Sequence, residues 1–170
     1  MEIRKVDNSV NELLDGPTLD ASALAGKIQR LHIFFSLLIP DMSHEEKQLL
    51  DEALIKTYAR KGITHKNESL TDPQHPEQYK KMPILEDVYN VLLESEDTKR
   101  LAHILNRLVH GSASSFNQQT NVDLTNKYTV LDISELTGSS DLLTVGMFVA
   151  LDYVWDKAKE NRTEERLKKI

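Results

Sequence analysis

The sequence predicts a mainly α-helical fold with one or two short strands. Apolar residues recur at intervals of three and four residues in several segments, which places them on one face of a helix. One compact β-branched run, Tyr128-Thr-Val-Leu-Asp-Ile133, has instead the composition of a buried strand. With 170 residues, 39% of them apolar and 28% charged, the chain is long enough for one globular domain with a core.

The first two predicted helices have clear boundary signals. The first carries its apolar face on Leu24, Ile28, Leu31, Phe35 and Leu38, up to a stop at Pro40. The segment Ser43-His-Glu-Glu46 has the spacing of a capping box and predicts the start of the second helix. Gly62 closes that helix, because glycine readily adopts the left-handed conformation common at helix ends. The inner face of the second helix is predicted at Leu50, Ala53, Leu54, and Thr57 or Tyr58.

Two shorter helices follow a long polar connection. Residues 62–82 contain two prolines and lack periodicity, which indicates an exposed loop. Pro83 suits the first turn of a third helix, and the fourth helix ends at Gly111. Their inner faces are predicted at Leu85, Val88 and Leu92, and at Leu101, Ile104, Leu105 and Leu108. We therefore expect an extended lead-in or edge strand over residues 1–16 and an all-α lobe over residues 17–111.

Residues 112–170 hold features that a small helical lobe does not explain. A polar connection leads to the predicted strand over 128–133, and a last helix over 140–160 follows. Because Leu142 to Trp155 is apolar on nearly every side, the pattern predicts a helix buried all round. A lone strand would leave backbone N–H and C=O groups unpaired, at a cost that folded proteins rarely tolerate. We expect both elements to pack against structure outside these residues.

Composition excludes several classes of function. Without cysteine the chain has no disulfide, no thiolate zinc site and no cysteine nucleophile. Its formal net charge of −6 argues against direct nucleic-acid binding, which needs a concentrated basic face. No segment has the length of a membrane span or the pattern of a targeting signal, so we expect a cytoplasmic location.

Three polar residues lie in or beside the predicted strand. Asp132 is placed like the Mg²⁺-binding Asp at the end of a strand in nucleotide hydrolases, but Ile133 follows it, which favours a core strand. Asn121 and Asp123 can hydrogen-bond nearby backbone and so support a turn. We assign all three a structural or interface role and none of them a catalytic role.

Three further charged residues are candidates for structural or interface contacts. Asp152 interrupts the apolar helix, so it needs a basic partner outside the chain or on an adjacent subunit, or else a partly exposed position. Arg100 and Arg107 are seven residues apart on one helical face, which forms either a subunit contact or a solvated surface. The loop histidines His65 and His75 match no standard metal-ligand spacing, and we predict no metal or cofactor site.

Three segments together resemble the conjugation and type IV secretion ATPases, the large traffic ATPases of DNA-transfer machines. They are Thr120-Asn-Val-Asp-Leu124, the strand segment Tyr128-Thr-Val-Leu-Asp-Ile-Ser134, and Gly146-Met-Phe-Val-Ala-Leu-Asp-Tyr-Val-Trp155 with the charged stretch after it. Asp15-Gly-Pro17 and the helix that follows it are similar as well. The resemblance covers most of the chain.

The resemblance implies a parent with a RecA-like α/β P-loop motor core and an all-α lobe inserted between its two phosphate-handling motifs. This chain would be that lobe with one returning strand and helix. For the parent the resemblance implies ATP and Mg²⁺, a homo-oligomeric hexameric ring, secretion-machine partners and a place at the cytoplasmic face of a membrane complex. The fragment itself has no Gly-x-x-x-x-Gly-Lys-Ser/Thr and no strand that ends in Asp-Glu. We therefore expect it to be inactive, to hold no cofactor, and to have the remainder of the motor domain as its partner.

An alternative is a self-contained helical protein–protein interaction module unrelated to nucleotide motors. Such a module would bury the face of Leu142 to Trp155 against a second copy of itself or within a complete monomer. Cooperative unfolding of a dilute monomer, with protected amides over 128–133, would favour this alternative. A small-molecule enzyme has only isolated polar residues in its support and is the weakest of the three hypotheses.

Overall fold

Five α-helices and three short 3₁₀ turns make up the described part of the chain. The computed structural model describes residues 22–119 and 139–167, with side chains in the last helix as far as Lys159. The helices are α1 (Ala23–Leu38), α2 (His44–Arg60), α3 (Leu85–Leu92), α4 (Lys99–Val109) and α5 (Ser140–Leu167). The predicted lead-in over 1–16 and the predicted strand over 128–133 lie outside the described residues. The described fold is mainly helical, as the sequence predicts.

Helix α1 is bounded by local signals on both sides. Ser22 Oγ accepts a hydrogen bond from the backbone N–H of Ala25 at 3.3 Å and so caps the first turn. The helix ends at Leu38, two residues before Pro40, where the sequence predicts its stop. Its buried face comprises Leu24, Ile28, Phe34, Phe35 and Leu38. This face is one wall of the core.

Helix α2 begins with the capping box that its sequence predicts. Ser43 Oγ accepts from the N–H of Glu46 at 3.1 Å, and Glu46 Oε2 accepts from the N–H of Ser43 at 2.9 Å. After the helix Gly62 takes a φ of 70°, the left-handed conformation expected there. The predicted inner face is buried at Leu50, Ala53, Leu54, Thr57 and Tyr58. Local sequence signals therefore specify this helix from start to end.

The connection between α2 and α3 is more ordered than its sequence indicates. It contains a 3₁₀ turn over Asn67–Leu70 and an isolated antiparallel bridge between Thr71 and Tyr79. At its start Ile63 is fully buried, and Lys80 Nζ donates to the carbonyl oxygen of Gly62 at 2.7 Å. Single contacts of this kind have no periodicity, so a search for repeating apolar positions does not detect them.

Helices α3 and α4 pack against each other, and α3 also contacts α2. The N-terminus of α3 is capped by Asp87, whose Oδ2 accepts from the backbone N–H of Ile84 at 2.9 Å. Pro83 lies before this helix rather than in its first turn. On α4 the side chains of Leu101, Ala102, Leu105 and Leu108 are fully buried. The two helices thus complete a continuous core with α1 and α2.

Helix α5 packs along α1 with one face only. Leu142 and Val145 are buried, and Phe148 is partly buried against the core. In contrast, Leu151 and Trp155 are 65% and 62% exposed. The expectation of a helix buried all round is therefore wrong for the described residues. Packing against α1 covers one stripe of α5, and the described helices place nothing over the opposite stripe.

Candidate interaction surface on the last helix

Asp152, the charged residue within the apolar helix, is paired inside the chain. Arg30 Nη1 on α1 lies 3.4 Å from Asp152 Oδ1 and also bonds to Asp156 one turn further along α5. Burial alone would lower the pKa of Arg30, but the hydrogen bond to Asp156 and the charge of Asp152 raise it. The basic group that Asp152 needs thus comes from α1 of the same chain.

Arg100 connects α4 to the start of α2. Its Nη1 donates to Glu46 Oε1 at 2.7 Å, and its Nη2 donates to Asp41 Oδ2 at 2.6 Å. The hydrogen bond from the backbone N–H of Ser43, followed by the bond from Arg100, lowers the pKa of Glu46. Glu46, whose carboxylate caps α2, therefore also forms an ion pair with Arg100 of α4.

Arg107 makes the corresponding connection to the start of α5. Its Nη1 donates to Asp141 Oδ2 at 3.0 Å, and its Nη2 donates to Ser139 Oγ at 2.9 Å. The Ser139 hydroxyl also bonds to Asp141 and lowers the pKa of that carboxyl group. In this structure Arg100 and Arg107 both make contacts within the chain. The other three candidates, Asn121, Asp123 and Asp132, lie outside the described residues.

An exposed apolar stripe runs along the described part of α5, and we name it the outer face of α5. It consists of Met147, Leu151, Val154, Trp155 and Ala158. Met147 and Val154 are 45% and 42% exposed, in addition to the more exposed Leu151 and Trp155. Clusters of exposed large apolar side chains on a folded domain mark sites of interaction with other molecules. The sequence also indicates this face, because the apolar residues at positions 147, 151, 154 and 158 follow one another at intervals of four and three residues.

Charged groups border the outer face of α5. Lys159 Nζ lies 5.5 Å from the centre of the Trp155 ring, within the range of a cation–π contact. Asp152, held by Arg30, lies at the edge of the shallow depression that Leu151 and Trp155 help to line. An apolar centre with polar groups at its edge is the usual composition of a protein contact surface.

The histidines of the described residues make separate contacts and do not cluster. His65 Nδ1 lies 3.3 Å from Ser22 Oγ, and the His110 ring meets Tyr89 edge to face at 5.3 Å. Across the described ranges, no three His, Cys, Asp or Glu side chains group as a metal site would require. No helix in those ranges combines the length and hydropathy of a membrane span. The chemistry of the candidate site is therefore burial of apolar surface.

The arrangement of helices matches the helical lobe of a type IV secretion ATPase domain. One solved structure with this likeness is VirB4 of Thermoanaerobacter pseudethanolicus, with a TM-score of 0.74 and 26% sequence identity. The likeness covers 86% of this chain and 55% of the VirB4 chain, so this chain spans about half the length of that protein. No family model and no curated protein matches the chain. The relationship to the conjugation and type IV secretion ATPases, as a fragment of such a protein, is confirmed.

Proposed function

We propose that the chain is the helical lobe of a motor that energises transfer of DNA or protein through a membrane-associated machine. The observation that carries the proposal is the likeness to VirB4 over 86% of this chain. Because the likeness extends over 55% of the VirB4 chain, the lobe would act together with further parts of a larger ATPase. The parent would work as a homo-oligomeric ring at the cytoplasmic face of the membrane, with other secretion-machine proteins as partners.

The lobe alone would neither bind nor hydrolyse ATP. Support comes from the sequence, which contains no Gly-x-x-x-x-Gly-Lys-Ser/Thr stretch whose backbone amides would cradle phosphates. ATP and Mg²⁺ would bind to the parent motor outside this chain. The acidic net charge of −6 supports a lobe that does not itself contact the nucleic-acid backbone.

The outer face of α5 would dock on the remainder of the motor domain. Two observations support this proposal. Leu151 and Trp155 are 65% and 62% exposed, and the other face of the same helix packs against α1. Burying such side chains stabilises a contact by about 25 cal/mol for each Å² of apolar surface removed from water. The lobe would thus be joined to the motor through the same helix that closes its own core.

Two measurements test this function. The DNA around the codons for Met1 and Ile170 should encode a phosphate-loop motif upstream and an apolar strand that ends in Asp-Glu downstream. The purified chain should show no Mg²⁺-dependent ATP turnover. Turnover that rises in proportion to the chain and persists through repeated purification would contradict the inactive lobe, and native start and stop codons would contradict the larger motor.

The docking face is tested in the full-length motor. Leu151→Asp, on the outer face of α5, should reduce ATP turnover because it places a charge in the proposed contact. Leu93→Asp is the matched control, since Leu93 is also exposed, at 38%, but lies after α3. Equal effects of the two changes would count against a contact through α5.

A second candidate function uses the same exposed face. A self-contained interaction module would bury the outer face of α5 against a second copy of the chain. The observation in its favour is that α1 to α4 already share a continuous core. Sedimentation would separate the two functions, because the module predicts a symmetric dimer that Leu151→Asp dissociates, together with native start and stop codons at both ends.

A further inference from the structure

A pocket of about 200 Å³ opens on the lobe beside α1. Its walls are mostly apolar and come from α1, from α3 with the residues before it, from the 3₁₀ turn after α4, from Tyr58 on α2 and from Val149 on α5. They include Leu31, Phe34, Ile84, Leu85, Val88 and Phe116. An apolar cavity of about 150 Å³ in another protein holds benzene, so this pocket has room for an aromatic ring with a short tail.

Tyr58 supplies a hydrogen-bond donor to this apolar pocket. Its side chain lines the pocket and is only 5% exposed, yet its hydroxyl has no partner among the described residues. In the described part of the chain, every side-chain nitrogen or oxygen fully shielded from solvent has a hydrogen-bond partner. The Tyr58 hydroxyl is therefore not fully shielded, and Tyr58 is one of the residues that line the pocket. Burial raises the pKa of Tyr58 to about 12, so the hydroxyl keeps its proton at neutral pH.

Lys27 supplies a positive charge to the same pocket. It lies four and seven residues before Leu31 and Phe34 on α1, which places the three side chains on one face of the helix. Its ammonium group has no ion-pair partner among the described residues, and no carboxylate lines the pocket. Gln118, the third polar residue of the lining, donates its amide N–H to the carbonyl oxygen of Ser115 at 3.0 Å.

We propose that this pocket binds a small carboxylic acid that carries an aryl or branched alkyl group. The apolar group lies among Leu31, Phe34 and Val88. The carboxylate accepts a hydrogen bond from the Tyr58 hydroxyl and pairs with Lys27 Nζ. The pairing of one buried donor with one cation suits an anion better than a neutral ligand, because hydrogen bonds to charged groups are the stronger ones. Val149 of α5 lines this pocket, but none of the residues of the outer face does, and the proposal does not depend on the motor function.

The probe is 3-phenylpropionate, titrated into the full-length chain at neutral pH and followed by calorimetry and by NMR shifts of the backbone amides. We expect saturable binding with shifts confined to the pocket residues. Tyr58→Phe removes only the hydroxyl, and Lys27→Gln removes only the charge. Each should weaken binding by about tenfold, the effect of losing one hydrogen bond or ion pair to a charged group.

Two controls make the result specific. Lys47→Gln removes the charge of another exposed lysine, which lies on α2 and does not line the pocket, and it should leave the affinity unchanged. The alcohol 3-phenylpropanol keeps the ring but lacks the carboxylate, and it should bind about as weakly as the acid binds to the single variants. Thermal unfolding of each variant checks that it is folded.

Three outcomes would overturn the proposal. The first is an absence of saturable binding by the folded chain. The second is an affinity that neither Tyr58→Phe nor Lys27→Gln changes, and the third is equal affinity for the acid and the alcohol. A peptide ending in Phe with a free carboxylate is tested in parallel. If the peptide binds and the small acid does not, the pocket recognises a chain terminus, which also contradicts a small-acid site.

Discussion

Two glycines of the lobe have opposite surroundings, and alanine should therefore have opposite effects at the two positions. At Gly26, inside α1, an added Cβ would meet nothing within 4 Å, whereas at Gly111 it would lie 2.8 Å from the Cα and carbonyl oxygen of Arg107. Gly26→Ala should raise the free energy of unfolding by roughly 0.5–1 kcal/mol, because glycine loses more backbone entropy in a helix. Gly111→Ala should lower it by more than about 1 kcal/mol, because backbone has to move.

Urea denaturation of the two glycine variants measures this contrast. Each variant is the control for the other, since the added methyl group is the same. A gain of stability in both variants would show that backbone entropy, rather than the space around each glycine, governs both positions.

Glu94 makes the lobe sensitive to acid. Hydrogen bonds from Arg60 and then from Lys56 lower the pKa of Glu94 from 4.5 to about 2. Because the folded state holds this carboxylate at a lower pKa, its contribution to stability is present above pH 4.5 and is lost as the pH falls towards 2. Glu94→Gln should therefore lower the melting temperature at pH 7 and have no effect near pH 2. Salt should reduce the effect at pH 7, since these groups are partly exposed.

Glu77→Gln is the matched control for the acid dependence. Glu77 is exposed in the connection between α2 and α3, and no described contact pairs it with a cation. The melting temperature of the Glu77→Gln variant should equal that of the unaltered chain at both pH values. A pH-independent effect of Glu94→Gln would show that its contacts, rather than its charge, stabilise the lobe.

Among the elements, α5 has two faces that should respond differently to the same change. Leu142→Ala removes a side chain that is 7% exposed and should cost about 2–5 kcal/mol of unfolding free energy through lost burial and a cavity. Leu151→Ala removes a side chain that is 65% exposed and should change stability by less than about 1 kcal/mol. Denaturant midpoints of the two variants give the comparison. A large loss for Leu151→Ala would mean that the outer face is covered within the chain.

The elements also show what a sequence can predict. The capping box at Ser43 and the apolar faces of α1 and α2 are set by neighbouring residues, so periodicity and spacing predict them. The exposure of α5 was not predicted, because an apolar stripe shows which surface gains from burial and does not show whether the same chain covers it. The partner of Asp152 was missed for a related reason, since Arg30 is 122 residues away in sequence.

At the scale of the whole molecule, the helices should differ in how they open. Native-state hydrogen exchange should show that amides of α2 and α4 exchange only by global unfolding, because their inner faces are fully buried. Amides in the last turns of α5 should exchange through local opening, since the core residues of this helix, Leu142 and Val145, lie in its first two turns. Equal opening free energies in α4 and throughout α5 would contradict this difference.

The pocket beside α1 shows why candidate sites are harder to predict than helices. Its walls come from all five helices or the turns beside them, and its polar groups are Lys27 on α1, Tyr58 on α2 and Gln118 after α4. Periodicity predicted Tyr58 as a buried residue, and it is buried, but no local pattern shows that its hydroxyl lacks a partner. A buried hydroxyl without a partner can be identified only from the three-dimensional structure.

The continuity of α5 has a mechanical consequence for the lobe. A helix of 28 residues is roughly 42 Å long at 1.5 Å per residue, and α5 has its buried residues Leu142 and Val145 in its first two turns. A rigid element of this kind acts as a lever arm, and a tilt at its distal end is transmitted to the seat at Leu142 and Val145. There the pair between Arg107 of α4 and Asp141 would have to break. A force applied to the far end of α5 would therefore reach the lobe through the contacts of this helix with α1 and α4.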